Sequence, residues 1–253
     1  MKVIVLATNC TSTWILVNAL KEDYPDIQVA LEQPISRWLL LKRRIGRIGL
    51  WKVFGQVLFI IYSTWLRRSC CLQVAALIEN AGLYSSKPTS SIVKNFKSVN
   101  SDACIRWLAG QDPDAVVING TRIVSPVVLN CCEAVFLNTH CGITPAYRGV
   151  HGGYWALQQG DPENAGVTVH LVDSGIDTGD ILYQKVITLD SKDNFFTYPV
   201  KQYIAGIPLM RKALKDVAKG TLQCITRDDL PSAIWLHPTL WQYLKDRWRG
   251  SVC

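Results

Sequence analysis

The chain has 253 residues, of which 49% are hydrophobic and 19% are charged, and its formal net charge is +7. This length can bury the core of one or two domains, and the composition is that of a globular protein rather than a disordered chain. The charge does not by itself indicate a nucleic-acid binder, because residues 33–78 hold eight basic residues and no acidic one, more than the whole net charge. The eight are Arg37, Lys42, Arg43, Arg44, Arg47, Lys52, Arg67 and Arg68.

Three further features predict the compartment. Nine cysteines form no CxxC pair, and their odd number suits free thiols in a reducing cytosol. The apolar start of the chain is too short for a signal peptide. Residues 50–66 are apolar but contain Lys52, Gly55 and Gln56, whereas a membrane span needs about 20 predominantly apolar residues. We therefore predict a cytoplasmic protein in which residues 50–66 form a helix packed on protein.

The N-terminal third predicts a strand–helix–strand unit followed by a long helical region. The two strands and the helix between them are predicted at residues 2–8, 27–31 and 11–21, respectively. Residues 35–82 are predicted to be helical in two or three pieces, with breaks around Gly46 and Gly49.

Strands and helices alternate through the middle of the chain. Strands are predicted at residues 114–118, 134–137, 167–172 and 181–188, and helices at residues 102–110, 124–131 and 152–159. This alternation predicts an α/β domain with a mostly parallel sheet. In such sheets, ligands bind beyond the carboxyl ends of the strands.

After residue 190 the pattern becomes helical. Helices are predicted within residues 195–219, with an interruption near Pro208, and at residues 239–249. This tail is too short for an independent domain of ordinary size. We therefore assign residues 1–190 to one catalytic domain and residues 191–253 to a helical C-terminal extension packed on it.

The stretch FLNTHCGITPAYRG, residues 136–149, places Asn138 and His140 where a buried strand ends, and Asp177 follows in the turn DSGIDTGD. These side chains offer an amide donor, an acid–base group and a carboxylate. The set suits acyl transfer to an amine, in which an oxyanion must be stabilised and a proton moved between nitrogens. Taken singly, each residue is equally well explained by capping, turn formation or packing.

The longer motif FLNTHCGITPAYRGVHGGYWAL, followed by GVTVHLVDSGIDTGDIL, resembles the catalytic core of the formyltransferases that use 10-formyltetrahydrofolate. The family pattern has Asn-x-His at a strand end, a Pro-x-Tyr-Arg-Gly-like loop, and an Asp in an Asp-Thr-Gly turn. Asn138, His140 and Asp177 occupy these places. The resemblance covers residues 100–190 well and the N-terminal strands loosely, and it implies a Rossmann-like formyltransferase fold.

The resemblance also implies roles for these residues. Asn138 and His140 would hold the formyl oxygen as it becomes an oxyanion, and Asp177 would assist proton movement to the folate nitrogen. The pterin of the folate co-substrate would lie between the loops 120–126 and 172–179. The residues implied there are Arg122, Ile123, Val124, Val172, Asp173 and Ile176. No metal is implied.

The acceptor amine is the most open question. Formyltransferases that act on phosphoribosylglycinamide carry a glycine-rich phosphate loop after the first strand, and this chain has ATNCTSTW there. The residues after 190 are too few and too helical for the β-barrel that methionyl-tRNA formyltransferases carry. We therefore expect a nucleotide-linked amino-deoxy sugar of surface-polysaccharide synthesis as the acceptor. Phosphoribosylglycinamide, hydroxyornithine and simple hydrolysis of the folate stay open as alternatives.

Residues after the catalytic strand are candidates for contacting that acceptor. Tyr147 and His151 could hydrogen-bond a sugar, and Arg148 could hold a phosphate, although packing of the loop explains all three equally well. His170 alternates with apolar neighbours and is expected to be structural.

Two surfaces carry open interpretations. The basic stretch could be a solvated helix face, a phosphate-contacting patch, or an attachment to an anionic inner membrane, where each basic residue contributes about 1 kcal/mol. In the tail, Trp241, Leu244 and Trp248 recur at helical spacing and predict core packing or a homodimer interface. Nucleic-acid binding would depend on charge alone, without a recognised motif, and is not expected.

Overall fold

Apolar runs that are buried on both faces form a sheet at the centre of the protein, whose computed structural model describes residues 1–88, 90–250 and 252. Runs of this kind are typical of parallel sheets covered by helices. The strands of the described residues are β1 (Val3–Thr8), β2 (Gln28–Glu32), β3 (Val93–Phe96), β4 (Ala115–Asn119), β5 (Val135–His140), β6 (Arg148–Gly149), β7 (Gly166–Leu171), β8 (Ile181–Val186) and β9 (Ile234–Trp235).

Seven strands form one sheet in the order β3-β2-β1-β4-β5-β7-β8, and β6 pairs with β9 in a second, two-stranded sheet. The strands from β3 to β5 are parallel, whereas β7 is antiparallel to both β5 and β8. The predicted α/β fold with a mostly parallel sheet is confirmed. Because β1 lies between β2 and β4, the strand order reverses beside β1, and ligands bind at such reversals.

Helices cover both faces of this sheet. Those of the described residues are α1 (Thr11–Asp23), α2 (Arg37–Ile48), α3 (Leu50–Asn80), α4 (Asp102–Gln111), α5 (Pro126–Leu129), α6 (Gly152–Gln158), α7 (Thr197–Lys219) and α8 (Leu240–Trp248). On one face, α1 and α7 pack through Leu16 and Met210. On the other face, α4 and α5 pack through Leu108 and Val128. The two cores account for the burial of both faces of β1 and β4.

An aromatic cluster fixes the C-terminal segment to the rest of the chain. The Phe59 ring of α3 lies 5.1 Å from the Phe195 ring and 5.2 Å from the Tyr243 ring of α8, measured between centroids. The Tyr154 hydroxyl of α6 donates to the buried Asp246 carboxylate at 2.7 Å. Residues after 190 therefore pack against α3 and α6.

Residues 50–66 lie within α3, as the sequence predicts, but they bury only one side of the helix. Val53 and Phe59 are buried, whereas Trp51 is 78% exposed and Trp65 is 66% exposed. None of the helices that the structure describes is long and apolar enough to cross a membrane.

Three sequence expectations about helices and strands differ from the structure. The helical region breaks at Gly49, whose φ of +82° suits glycine, but α2 runs through Gly46, so the expected break there is wrong. α7 is likewise continuous through Pro208. Buried Ile207 and Met210 hold this helix on its neighbours, and that packing outweighs the hydrogen bond that proline removes. The strands β3, β6 and β9 were not expected, because they are too short to display alternation.

The aromatic cluster predicts a large difference between two phenylalanines of α3. Phe59 is 2% exposed and Phe54 is 49% exposed. Phe59→Ala should lower the free energy of unfolding by about 3–5 kcal/mol, because it leaves a cavity among Phe195 and Tyr243. Phe54→Ala, the matched control on the same helix, should change it by less than about 0.5 kcal/mol. Urea denaturation of both variants measures the difference, and equal effects would contradict this packing.

Candidate functional site

A cavity of about 550 Å³ opens at the carboxyl ends of β4 and β5, beside the reversal of strand order. Its floor includes Ile118 of β4 and Asn138 of β5. Its walls come from the loop 120–124, the loop 172–177 and the first turns of α7. A volume of several hundred Å³ with apolar walls and a few convergent polar groups is typical of a site for a small organic ligand.

Asn138, His140 and Asp177 all line this cavity, and the first two each contact Asp177. The Asn138 Nδ2 atom is 3.4 Å from Asp177 Oδ1, and the His140 Nδ1 atom is 3.4 Å from Asp177 Oδ2. Strand β5 continues to His140, so Asn138 and His140 belong to its last residues rather than to the following loop. The three residues predicted from the sequence to be catalytic therefore form one cluster.

His170 on β7 is a fourth member of this cluster. Its Nδ1–H donates to the Leu171 carbonyl at 2.6 Å, so in the neutral ring Nε2 is an acceptor. The Asn138 amide donates to that nitrogen at 3.1 Å. His170 is buried, as expected of a structural residue, but it also lines the cavity and orients Asn138. Sequence alternation alone could not reveal this role, since β5 and β7 pair only in the fold.

The loop after β5 holds His140 by a close backbone approach. The His140 Nε2–H donates to the Tyr147 carbonyl at 2.7 Å. Gly142 makes this loop possible, because a Cβ there would lie 2.2 Å from the Tyr147 oxygen and 2.7 Å from His140 Nε2. Gly149 then donates its N–H to Asp177 Oδ2 at 2.9 Å. The loop thus fixes both the ring of His140 and the carboxylate of Asp177.

Asp177 is held as a carboxylate. Burial would raise its pKa, but the neighbouring His170 ring, the charge of His140 and the Gly149 amide together lower it below the ordinary value. Its backbone has a φ of +50°, a conformation that Asp tolerates better than most residues. Burial also lowers the pKa of His140, and the attraction of Asp177 opposes this effect. The site therefore combines a fixed negative charge with a histidine that gains a second proton reluctantly.

The six residues predicted to contact the folate all line the cavity, in two facing loops. Val124, Val172 and Ile176 supply apolar surface there, and Ile123 exposes 57% of its side chain. The guanidinium of Arg122 is engaged elsewhere: its Nε is 2.6 Å from the buried Glu32 carboxylate of β2. Glu32 also accepts from the Arg122 backbone N–H at 2.6 Å. This ion pair fixes the loop 120–124 to the end of β2.

The three residues predicted to contact the acceptor occupy different environments. His151 lines the cavity. Tyr147 is buried and its hydroxyl donates to Asp161 at 2.7 Å, so packing accounts for this side chain. Arg148 is half-buried on β6, and its Nε has no hydrogen-bond partner among the described residues. Neither Tyr147 nor Arg148 is among the residues that line the cavity.

Helix α7 supplies a wall that the sequence did not predict. Gln202 and Tyr203 line the cavity from a position more than 60 residues after β5. The Tyr203 hydroxyl donates to Asn119 Oδ1 at 2.9 Å, and the Asn119 amide donates to Thr13 at 2.8 Å. Thr13 also donates to the Thr8 carbonyl at 2.7 Å, so its hydroxyl is committed within the loop after β1. The sequence of α7 contains no motif, so it could not predict that this helix lines the cavity.

Fold and site together define an α/β domain with a polar cluster at the carboxyl end of β5, and part of the chain resembles known proteins. A sequence model of the family described as formyl transferase matches residues 79–201. The methionyl-tRNA formyltransferase of Desulfotalea psychrophila is 31% identical over 156 residues, which cover 61% of this chain and 46% of that protein. The similarity to formyl transferases thus covers residues 79–201, slightly less than half of the chain.

Two solved structures share the fold across nearly the whole chain. Glycinamide ribonucleotide transformylase 1 from Symbiobacterium toebii has a TM-score of 0.57 at 16% identity, covering 93% of this chain and 95% of that one. An N-formyltransferase from Helicobacter canadensis, solved with folinic acid and dTDP-3-aminofucose, has a TM-score of 0.56 at 14% identity, covering 93% and 70%. At these identities the likeness concerns the fold alone. The chain spans about half the length of the curated relative it matches.

Two partly buried histidines beside the site predict how stability depends on pH. His151 Nε2 and His237 Nδ1 share a hydrogen bond at 2.9 Å. Burial and the neighbouring His237 lower the pKa of His151 to about 3, and burial with the nearby Arg44 lowers the pKa of His237 to about 4. An unfolded histidine has a pKa of about 6.5, so between these values the unfolded state binds more protons than the folded state.

The free energy of unfolding should therefore fall as the pH decreases. Between pH 7 and pH 5 the loss should be about 1–2 kcal/mol for each of the two histidines. Urea denaturation at successive pH values measures this slope. The double variant His151→Asn and His237→Asn should have a shallower slope whatever its stability at pH 7, whereas an unchanged slope would place the responsible protons on other groups.

Proposed function

We propose that the protein transfers a formyl group from 10-formyltetrahydrofolate to the amino group of a nucleotide-linked amino-deoxy sugar. The observation that carries the proposal is the contact of both Asn138 and His140 with Asp177 at the edge of a cavity large enough for a small organic ligand. The similarity of residues 79–201 to formyl transferases supports formyl transfer. The acceptor is the finer part of the proposal and is argued separately below.

The geometry suits the charge that develops when an amine attacks the formyl carbon. As the carbon–nitrogen bond forms, the formyl oxygen becomes an oxyanion, and donors that are already in place stabilise it. The Asn138 amide is oriented by His170, and the His140 ring is held by the Tyr147 carbonyl, so His140 donates to the oxyanion from Nδ1 when it carries a second proton. Neither group must reorganise extensively when the charge appears. Positioning of this kind supplies much of the rate enhancement in a reaction that needs no covalent enzyme intermediate.

Asp177 is suited to the proton transfer that completes the reaction. The attacking amine must lose a proton, and the folate nitrogen must gain one as its bond to the formyl carbon breaks. A carboxylate with a lowered pKa that lies beside His140 can accept the first proton, directly or through one water molecule, and pass it on. The products are the formamide and tetrahydrofolate, so no proton is gained or lost overall.

The cavity fits a folate co-substrate on two grounds. Apolar side chains on facing loops, at Val124, Val172 and Ile176, can cover the planar pterin ring. The Arg122–Glu32 ion pair keeps one of these loops in position without occupying the cavity with a charged group. The structure of the Helicobacter canadensis relative contains folinic acid, which is consistent with this use of the fold.

Three observations favour a nucleotide-linked sugar as the acceptor. The loop after β1 has no glycine, and its Thr13 hydroxyl is committed to Asn119 and Thr8. The position therefore has neither the glycines of a phosphate loop nor a free hydroxyl on Thr13. The Helicobacter canadensis relative was solved with an aminofucose nucleotide. His151, Gln202 and Tyr203 lie at the cavity wall, where a sugar would share or replace their hydrogen bonds to His237, Gly166 and Asn119.

The first test asks whether the protein transfers a formyl group and, separately, which amine accepts it. The protein would be incubated with 10-formyltetrahydrofolate and each of several acceptors: dTDP-, UDP- and GDP-linked amino sugars, phosphoribosylglycinamide, hydroxyornithine and methionyl-tRNA. Mass spectrometry should detect one formyl group added to an amino-sugar nucleotide. Efficient formylation of another acceptor with none of any sugar would refute the proposed acceptor, and tetrahydrofolate release without a formylated product would indicate hydrolysis.

Variants of the cluster test the catalytic roles. His140→Ala and Asp177→Asn should each lower kcat by about 100-fold to 1,000-fold, because each removes a group that acts on the developing charge or the moving proton. Asp180→Asn is the matched control, since Asp180 is exposed in the same turn and does not line the cavity. Steady-state kinetics on the acceptor identified above measure the effect. A loss in the control equal to that of Asp177→Asn would assign the effect to the turn rather than to the carboxylate.

His170 should behave as a positioning residue. His170→Phe removes the acceptor for the Asn138 amide, so kcat should fall by about tenfold to 100-fold. The KM for the folate should change little, because the apolar loop residues remain in place. His170→Gln, which keeps a polar acceptor, should recover part of kcat. An increase in KM without a fall in kcat would contradict this role.

A further inference from the structure

The helices α2 and α3 carry apolar side chains that the fold leaves uncovered. No residue of α2 is buried, and Trp38 is 75% exposed. On α3 the exposed apolar residues recur every three or four positions and so share one face of the helix. Those on this face are Leu50, Phe54, Val57, Ile61, Trp65 and, seven positions further on, Leu72, and the neighbouring Trp51 and Ile60 are also exposed. We call Trp38, Leu39 and these eight residues of α3, together with the basic side chains of both helices, the α2–α3 surface.

The same two helices carry the eight basic residues of the stretch 33–78. Lys42, Arg43 and Arg47 of α2 are exposed, as are Arg67 and Arg68 of α3. Among the residues that the structure describes, no ion pair links any of the eight to a carboxylate. On α2, Trp38 and Lys42 are four residues apart and therefore project from the same side of the helix. Exposed apolar and cationic groups are thus interleaved.

We propose that the α2–α3 surface binds an anionic phospholipid bilayer and lies at its surface. An amphipathic helix with tryptophans and aliphatic residues beside lysines and arginines is the pattern that suits a lipid interface. The aromatic and aliphatic side chains would enter the boundary between headgroups and acyl chains. The cations would remain at the level of the anionic headgroups, which attract them. The proposal does not depend on which amine the site formylates.

Charge decides between a bilayer and a second copy of the chain. In a two-fold symmetric dimer the same patch faces itself, so the eight cations of one protomer would meet the eight of its partner. The segment 33–78 offers no acidic residue to compensate this repulsion. An anionic bilayer complements both the charge and the apolar groups.

The composition of the surface also favours lipid over RNA. Bases stack on aromatic side chains, which would use the tryptophans. Leu50, Ile61 and Leu72 have no flat face for a base, and Leu72 is 81% exposed. Burial of these aliphatic groups requires an apolar partner, which the acyl region of a bilayer supplies.

The test is sedimentation of the full chain with vesicles of phosphatidylcholine, with or without phosphatidylglycerol. The protein should sediment with the anionic vesicles at about 0.05 M salt and much less at about 0.5 M salt, because salt screens the attraction. Arg43→Glu with Arg47→Glu should lower the partition coefficient by at least about tenfold. The matched control, Lys215→Glu with Lys219→Glu on α7, should leave it unchanged.

A second readout tests insertion of the tryptophans. Brominated phosphatidylcholine within anionic vesicles should quench the fluorescence of the wild-type protein. Trp51→Ser with Trp65→Ser should bind more weakly and show less quenching, while circular dichroism confirms that the variant is folded.

Three results would overturn the proposal. One is no sedimentation with anionic vesicles at low salt. The second is a dimer in sedimentation equilibrium that Trp51→Ser with Trp65→Ser dissociates. The third is RNA binding that Arg43→Glu with Arg47→Glu abolishes, in protein that does not bind vesicles.

Discussion

The rest of the site depends on the contacts of the partly buried Asp177 carboxylate. It accepts the Gly149 N–H and lies beside His140 and Asn138, so it connects the turn before β8 to β5 and β6. A carboxylate in this position must be compensated, because an unpaired buried charge is strongly destabilising. The groups that compensate it are the ones proposed to act on the substrate. Stability of the loop and orientation of the catalytic groups therefore have one physical cause.

The C-terminal segment completes this arrangement from the other side. β9 pairs with β6, and the Trp235 indole donates to the Ala146 carbonyl at 2.8 Å. His237 bonds to His151, and α7 contributes Gln202 and Tyr203 to the cavity. The residues after 190 thus support the loop 141–151 directly rather than only covering the sheet. Because His237 and its partner His151 are neutral and partly buried, the stability of this contact depends on pH.

The sequence could predict residues that share a local motif. It could not predict residues that only strand pairing and helix packing bring together. Asn138, His140 and Asp177 were recognisable because their spacing forms a family motif, and the parallel sheet was recognisable from alternating segments. His170 and Tyr203 have no such spacing, and only the pairing of β5 with β7 and the packing of α7 bring them to the site. Pro208 gave a misleading local signal because tertiary contacts hold α7 together. The proposed acceptor contact of Tyr147 came from its place in a motif, whereas its hydroxyl is bonded to Asp161.

The connection between β2 and β3 explains how two different surfaces can coexist in one chain. The two strands pair in parallel register, and α2 and α3 lie entirely within the crossover that joins them. The sheet needs that crossover only to return the chain to the same edge, so the outer faces of the two helices are free of the constraints that fix the site. Phe59 and Gln56 attach α3 to the C-terminal segment. The opposite face of α3 is exposed and does not take part in the core. Its cations and tryptophans are therefore available for the proposed contact with a bilayer.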